Sequence, residues 1–278
     1  MLVFVPSRDR QWVSVGDSVG RDRQLGFIRE DISMIMATLR MAGLTAALTL
    51  AAPAIAAESE LPSGMSTKWH VSLDAAGHVM DIAAASKIVP VLMEPLRQQI
   101  RQWQFVPGMR DGVPLATETT LVVDVAFAYG VGDEMQVSIV HAATGGNAEF
   151  GGRGGVPQYP ARSLMRGEQG LAAVKVRYDG DGQILDIGLY EGAPKIPRAL
   201  GDAAIAAVKH WRLTPEKVGD AGVPGELIVP VCFVSNSAQH KPDCNMRLPG
   251  LDRPAQANQA LALNSVTGLA TSVAGEVL

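Results

Sequence analysis

The chain of 278 residues repeats itself, and a repeat constrains folding strongly because both stretches must build the same supersecondary unit. Asp74-Ala75-Ala76-Gly77-His78-Val79-Met80-Asp81-Ile82 returns 105 positions later as Asp179-Gly180-Asp181-Gly182-Gln183-Ile184-Leu185-Asp186-Ile187. Trp103-Gln104-Phe105-Val106-Pro107 returns as Trp211-Arg212-Leu213-Thr214-Pro215, Gly112-Val113-Pro114 as Gly222-Val223-Pro224, and Val125-Ala126-Phe127 as Val231-Cys232-Phe233. Anchors that keep their order while their spacing drifts by a few residues are what loop insertions leave.

Each copy reads as strand, turn, strand, helix, strand. In the second, Val174, Val176 and Tyr178 alternate with Ala173, Lys175 and Arg177, the period of a half-buried strand. Asp179-Gly180-Asp181-Gly182 tolerates positive φ and reverses the chain into a strand near Ile184 to Tyr190. Pro197 opens a helix, and Leu200, Ala204, Val208 and Trp211 share one of its faces. Pro215 stops the helix, and Leu227, Val229, Val231 and Phe233 alternate as a last strand. The first copy repeats this with Trp69, Val71 and Leu73, then Leu92, Leu96, Ile100 and Trp103, then Leu121, Val123, Val125 and Phe127. The fold class expected is α+β: two small modules at 66–127 and 157–234, each an antiparallel sheet on one helix. Trp103 and Trp211 are core residues at the corner where helix meets sheet, each burying about 150–250 Å²; Pro107, Tyr159, Pro160 and Pro215 are expected beside them.

The second copy resembles the TonB C-terminal domain family. The resemblance runs from Pro157-Gln158-Tyr159-Pro160 through Gly170, Asp186, Ala203-Ala204, Trp211-Arg212-Leu213-Thr214-Pro215 and Gly222 to Val229-Pro230-Val231-Cys232-Phe233. The first copy lacks the Tyr-Pro opening and is a degenerate relative. The resemblance implies a non-enzymatic domain that pairs a segment of an outer-membrane transporter with an edge strand, here Leu227, Ile228, Val229, Pro230, Val231 and Phe233. Proline within a strand is tolerated mainly at an edge, and an exposed edge is a template for strand addition. Pro230 serves such an edge either by leaving it open to a partner or by protecting it from aggregation. The alternative function is a structural or regulatory envelope protein that keeps the fold without energy transduction. Unlike a full-length transducer, the chain has no His in its apolar segment and no proline-rich spacer after it.

That apolar segment, Met41 to Ala57, carries no charge, follows Arg40 and ends in small residues with Ala54-Ile55-Ala56 as a cleavage signal. It reads as a signal peptide within 36–57, with 1–35 an upstream extension and translation starting at Met34 or Met36. The alternative is an inner-membrane anchor, although 41–57 only reaches the lower end of the roughly 17–25 residues a span needs. The compartment expected is the periplasm, where Cys232 and Cys244 either form a disulfide or remain a buried and a free thiol. A bridge across their separation of 12 positions would stabilise by roughly 3 kcal/mol.

A formal charge of -4 with no basic face excludes a polyanion-binding surface, so no nucleic acid is expected. The five histidines have no ligand spacing, and no metal or cofactor is expected. Past the upstream extension 1–35 no G-x-S-x-G occurs, the chain has no C-x-x-C, and catalysis is not expected. The partner expected is a protein, with a homodimer open through the same edges. Residues 128–156, rich in glycine, read as a linker, and 235–278 as a flexible tail in which 255–266 has weak helical character.

Overall fold

The computed structural model describes residues 64–129, 135–235, 240–251, 254–257 and 259–278. The upstream extension, the signal segment and the start at Met34 or Met36 lie outside the described residues.

The chain enters as β1 (Gly64–Leu73), turns into β2 (Val79–Ala84), forms α1 (Pro90–Gln102) and returns as β3 (Thr117–Tyr129). β2 and β3 flank β1, both antiparallel. Further along, β4 (Met135–Gly145) is followed by β5 (Gly170–Tyr178), β6 (Ile184–Leu189), α2 (Arg198–Val208) and β7 (Gly225–Phe233). β6 and β7 flank β5, again antiparallel.

The hairpin turns are built alike. The Asp74 carboxylate accepts from the amides of Ala76 and His78 at 2.8 and 2.9 Å, and the Asp179 carboxylate from those of Asp181 and Gln183 at 3.0 and 2.8 Å. Gly77 and Gly182 have φ of 84° and 78°. A Cβ on Gly77 would lie 1.9 Å from the carbonyl oxygen of Phe105, and one on Gly182 2.6 Å from that of Leu213, so each turn rests on the strand just past a corner tryptophan. Glycine is needed twice over, for its dihedral angles and for the close approach.

Above these turns lie two helix-on-sheet cores. Leu92, Leu96 and Ile100 of α1 pack with Trp69, Val71, Leu121, Val123 and Val125, and Leu200, Ala204 and Val208 of α2 with Val174, Val176, Leu227, Val229 and Val231. Trp103 and Trp211 are buried in these cores. Pro107, Pro215, Tyr159 and Pro160 are only half-buried, because the chain is turning out of the core there. Tyr159 stacks edge-on against Phe233 with ring centroids 5.4 Å apart, and Pro160 precedes the short helix Ala161–Met165.

The described residues of 128–156 are largely strand rather than loose linker. β4 pairs antiparallel with β3 along its length, and Asn147–Glu149 pairs with Arg212–Thr214. Val137 and Ile139 are buried while Gln136 and Ser138 alternate with them, a strand pattern masked by the glycines from Gly145 onward. The Trp211 indole donates to the carbonyl of Gly155 at 2.9 Å.

The described residues of 235–278 likewise form short paired strands in place of the expected flexible tail, and those of 255–266 are not helical. Ala255–Gln256 and Leu261–Ala262 are short extended pieces, and Gly268–Leu269 pairs with Phe105–Val106. The terminal residues run along β4: Ile139 donates to the carbonyl of Glu276 at 2.8 Å and Leu278 to that of Val137 at 3.0 Å. The carboxylate of Glu276 accepts from the Trp103 indole at 3.1 Å. Ala, Leu and Val spread without helical period suit short apolar contacts with a sheet better than a helix face.

The hairpin Lys217–Gly222, between Pro215 and β7, joins the other sheet, its first strand pairing with Glu118 and Thr117 of β3. Beside it, Glu216 is buried at 4% exposure. Its carboxylate accepts from Thr119 Oγ1 at 2.7 Å, Ser265 Oγ at 3.0 Å and the Val266 amide at 2.8 Å, tying three stretches of chain together. Replacing Glu216 by Ala strands buried donors, and urea unfolding should show a loss of about 1–3 kcal/mol. Tyr178 is held in a slot where a Cβ on Gly146 or Gly225 would lie 2.0 or 2.3 Å from its hydroxyl. Burial, and then the charge of Glu216, push its phenol from 10.0 up to about 12. The folded state therefore favours the neutral phenol, and this contribution to stability is whole below pH 10 and is lost as pH rises through about 12. Spectrophotometric titration should show a tyrosine ionising near pH 12, and Tyr178→Phe should remove that step.

Candidate functional site

β7 is the expected partner-binding strand, and its sequence fixes two faces. Leu227, Val229, Val231 and Phe233 point into the core under α2. Ile228 and Cys232 point to the opposite face, where Leu171, Ala173, Leu248, Ala255 and Leu261 gather over them. β7 is thus covered on both faces, whereas the alternation of Leu227, Val229, Val231 and Phe233 implied one wet face. The sequence signal for this was the unbroken apolar run Leu227-Ile228-Val229-Pro230-Val231-Cys232-Phe233, typical of a strand buried on both sides.

The register shows which backbone groups face the outer edge. Pro230 lies opposite Ala173, and the Ala173 carbonyl is taken from the far side by the Tyr190 amide at 2.8 Å. Opposed residues of an antiparallel pair turn their backbone groups toward each other together or away together. Pro230 therefore faces outward, as do Glu226, Ile228 and Cys232. Proline at an outward position leaves the inner ladder to β5 intact, which is why the strand accepts it.

Part of that edge is occupied by the chain's own C-terminal region. Leu227 and Ile228 pair antiparallel with Ala262 and Leu261 of β8 (Leu261–Ala262). Glu226 accepts from the Leu263 amide at 2.9 Å and donates its own amide to Asn264 Oδ1 at 2.8 Å. Among the described residues the ladder on this side ends at Ile228. Cys232 and Cys244 are joined by a disulfide across a Cα separation of 5.8 Å, anchoring the C-terminal region at the far end of the edge. The Lys175–Glu226 ion pair, 2.8 Å long, lies across β5 and β7.

Sequence reasoning found β7 and both cysteines but missed Asn264, Leu261 and Glu216. An isolated Glu two residues before a valine and a short Leu-Ala step have no periodic signature, and their roles arise from contacts far away in sequence. Among the described residues, no cluster of three or more His, Cys, Asp or Glu forms a metal cage, and no helix is long and apolar enough to cross a membrane.

Residues 156–234, which start just before the Ala161–Met165 helix and end one residue past β7, match the family model described as Gram-negative bacterial TonB protein C-terminal. The chain is 34% identical over 80 residues to the protein named tonB2 of Pseudomonas aeruginosa, an alignment covering 29% of this chain and 29% of that relative. No solved structure matches the chain. Both β7 and its inner ladder fall inside the matched stretch, and residues 156–234 are a domain of the TonB C-terminal family.

Proposed function

We propose that the chain is a non-catalytic TonB-like protein of the bacterial envelope that binds an extended segment of an outer-membrane transporter by adding it to the edge of β7. The observation that carries this reading is the family match at 156–234, which ends on a strand whose outward backbone groups are only partly laddered by the described residues. Main-chain hydrogen bonds to such an edge supply affinity, and the side chains flanking it supply selectivity. Both sequence matches lie with TonB proteins, a family of transducers, which supports a role without turnover.

In the same reading, residues 66–127 are a diverged second copy of the module. What supports this is the shared strand order around β1 and β5 and the shared turn architecture at Asp74 and Asp179. Its edge is already filled by β4, so it serves as scaffold. Export to the periplasm rests on the segment 41–57 and suits a Cys232–Cys244 disulfide, which persists in oxidising compartments.

A second reading, a structural or regulatory envelope protein without energy transduction, has one observation in its favour: the C-terminal region already lies on the edge that a transporter would need. In-cell photo-cross-linking separates the two. With a photoreactive residue in place of Pro230, the transporter reading expects a covalent adduct containing an outer-membrane transporter, and none from a probe at the exposed position Arg162. An adduct only with soluble proteins supports the second reading, and an adduct of twice the chain's mass identifies a second copy as the partner.

A further inference from the structure

We propose that residues 259–264 form a displaceable strap that closes the β7 edge in the free protein and must lift before a partner strand can add. The inference rests on the reading that this edge takes a partner.

The molecule contains its own comparison for what a filled edge looks like. β3 stands to β1 as β7 stands to β5, and the Val-x-Phe anchors place Leu121 and Val122 at the positions of Leu227 and Ile228. On β3 those residues face Thr144 and Ala143 of β4, within an antiparallel ladder of ten residue pairs that runs on to Tyr129. On β7 they face Ala262 and Leu261, and among the described residues the ladder stops after two pairs. The strap therefore starts the same ladder at the same register and does not continue it. What it leaves, from Val229 to Phe233, corresponds to the stretch of β3 that β4 covers through Ala142 to Val137.

Along the edge itself the strap is held by two ladder pairs, by the Leu263 amide on the Glu226 carbonyl and by Asn264 Oδ1 on the Glu226 amide, while Ala260 and Leu261 are buried in the apolar clusters on either face of β7. Its flanks are held by contacts other than that ladder. On one side Cys244 is covalently joined to Cys232; on the other Ser265 and the Val266 amide are fixed on Glu216, and Thr144 Oγ1 donates to the Thr267 carbonyl. A segment tethered at both ends stays close when it lifts and competes as an intramolecular ligand at high effective concentration. A partner's apparent affinity is then reduced by the fraction of molecules with the strap open. The partner this edge fits is an extended segment that replaces Leu261–Ala262 and continues past Pro230, forgoing one hydrogen bond there because proline has no N–H.

Hydrogen exchange on the full chain, read amide by amide, tests the strap without knowing the partner. Ile228 faces the strap and Val229 faces β5, so neighbouring amides on one strand form an internal control. The strap predicts that Ile228 and Leu263 exchange at least about tenfold faster than Val229, and that Asn264→Ala speeds them several-fold more while Val229 is unchanged. Equal protection of Ile228 and Val229 in both proteins overturns the proposal. The photo-cross-linker at position 230 then reads gating: adduct yield should rise several-fold in Asn264→Ala and again in Cys244→Ser. An unchanged yield despite faster exchange shows that the strap opens but does not gate, and also overturns it. Absence of any adduct, with the strap shown to open, removes the binding reading and the gating with it.

Discussion

Everything in the described chain is organised by a backbone contact at the end of each helix. A glycine in the left-handed region presses its turn against the carbonyl two residues after a corner tryptophan, at Gly77 on Phe105 and at Gly182 on Leu213. This fixes where the hairpin sits relative to the helix C-terminus, and with it the angle at which the helix crosses the sheet. The indole then closes the corner, and its N–H reaches outward for an acceptor: the carbonyl of Gly155 for Trp211, the carboxylate of Glu276 for Trp103. Through those bonds each corner recruits a piece of chain that does not belong to its own helix and sheet.

The parts of the fold legible in the sequence are those whose information is local. Turn chemistry at Asp74 and Asp179, the three- and four-residue spacing of Leu92, Leu96 and Ile100, and the alternation of Val174, Val176 and Tyr178 each reflect neighbours within a few residues, and the elements stand there. The tryptophan corner was legible because it occurs twice. What was not legible depends on distant partners. Val137 and Ile139 carry a strand pattern too short to outweigh the glycines around it until β3 is known to lie beside them. The region after Ser235 gains its structure from surfaces already formed: Leu248, Ala255 and Leu261 settle on the back of β5 and β7, and Glu276 meets Trp103.

For the candidate site, the sequence located the strand and the proline but mistook its surroundings. Alternate apolar positions promised one wet face, yet Ile228 is as fully buried as Leu227. The difference matters chemically. A strand covered on both faces can receive another strand only along its edge, so recognition must run through backbone groups, with the flanking side chains as secondary readers.

The crossing of chain segments between the two sheets has a consequence for how the polypeptide acquires its structure. Glu118 and Thr117 receive Lys217 and Val218, Arg212–Thr214 receives Asn147–Glu149, and β4 is flanked by the last four residues. Neither sheet is complete when the stretch that encodes most of it has been made. The amino-proximal sheet waits about a hundred residues for one of its strands, and β4 waits for residues 275–278, so the two cores are expected to consolidate together rather than one behind the other. The same interlocking is expected to make the two cores melt as one unit.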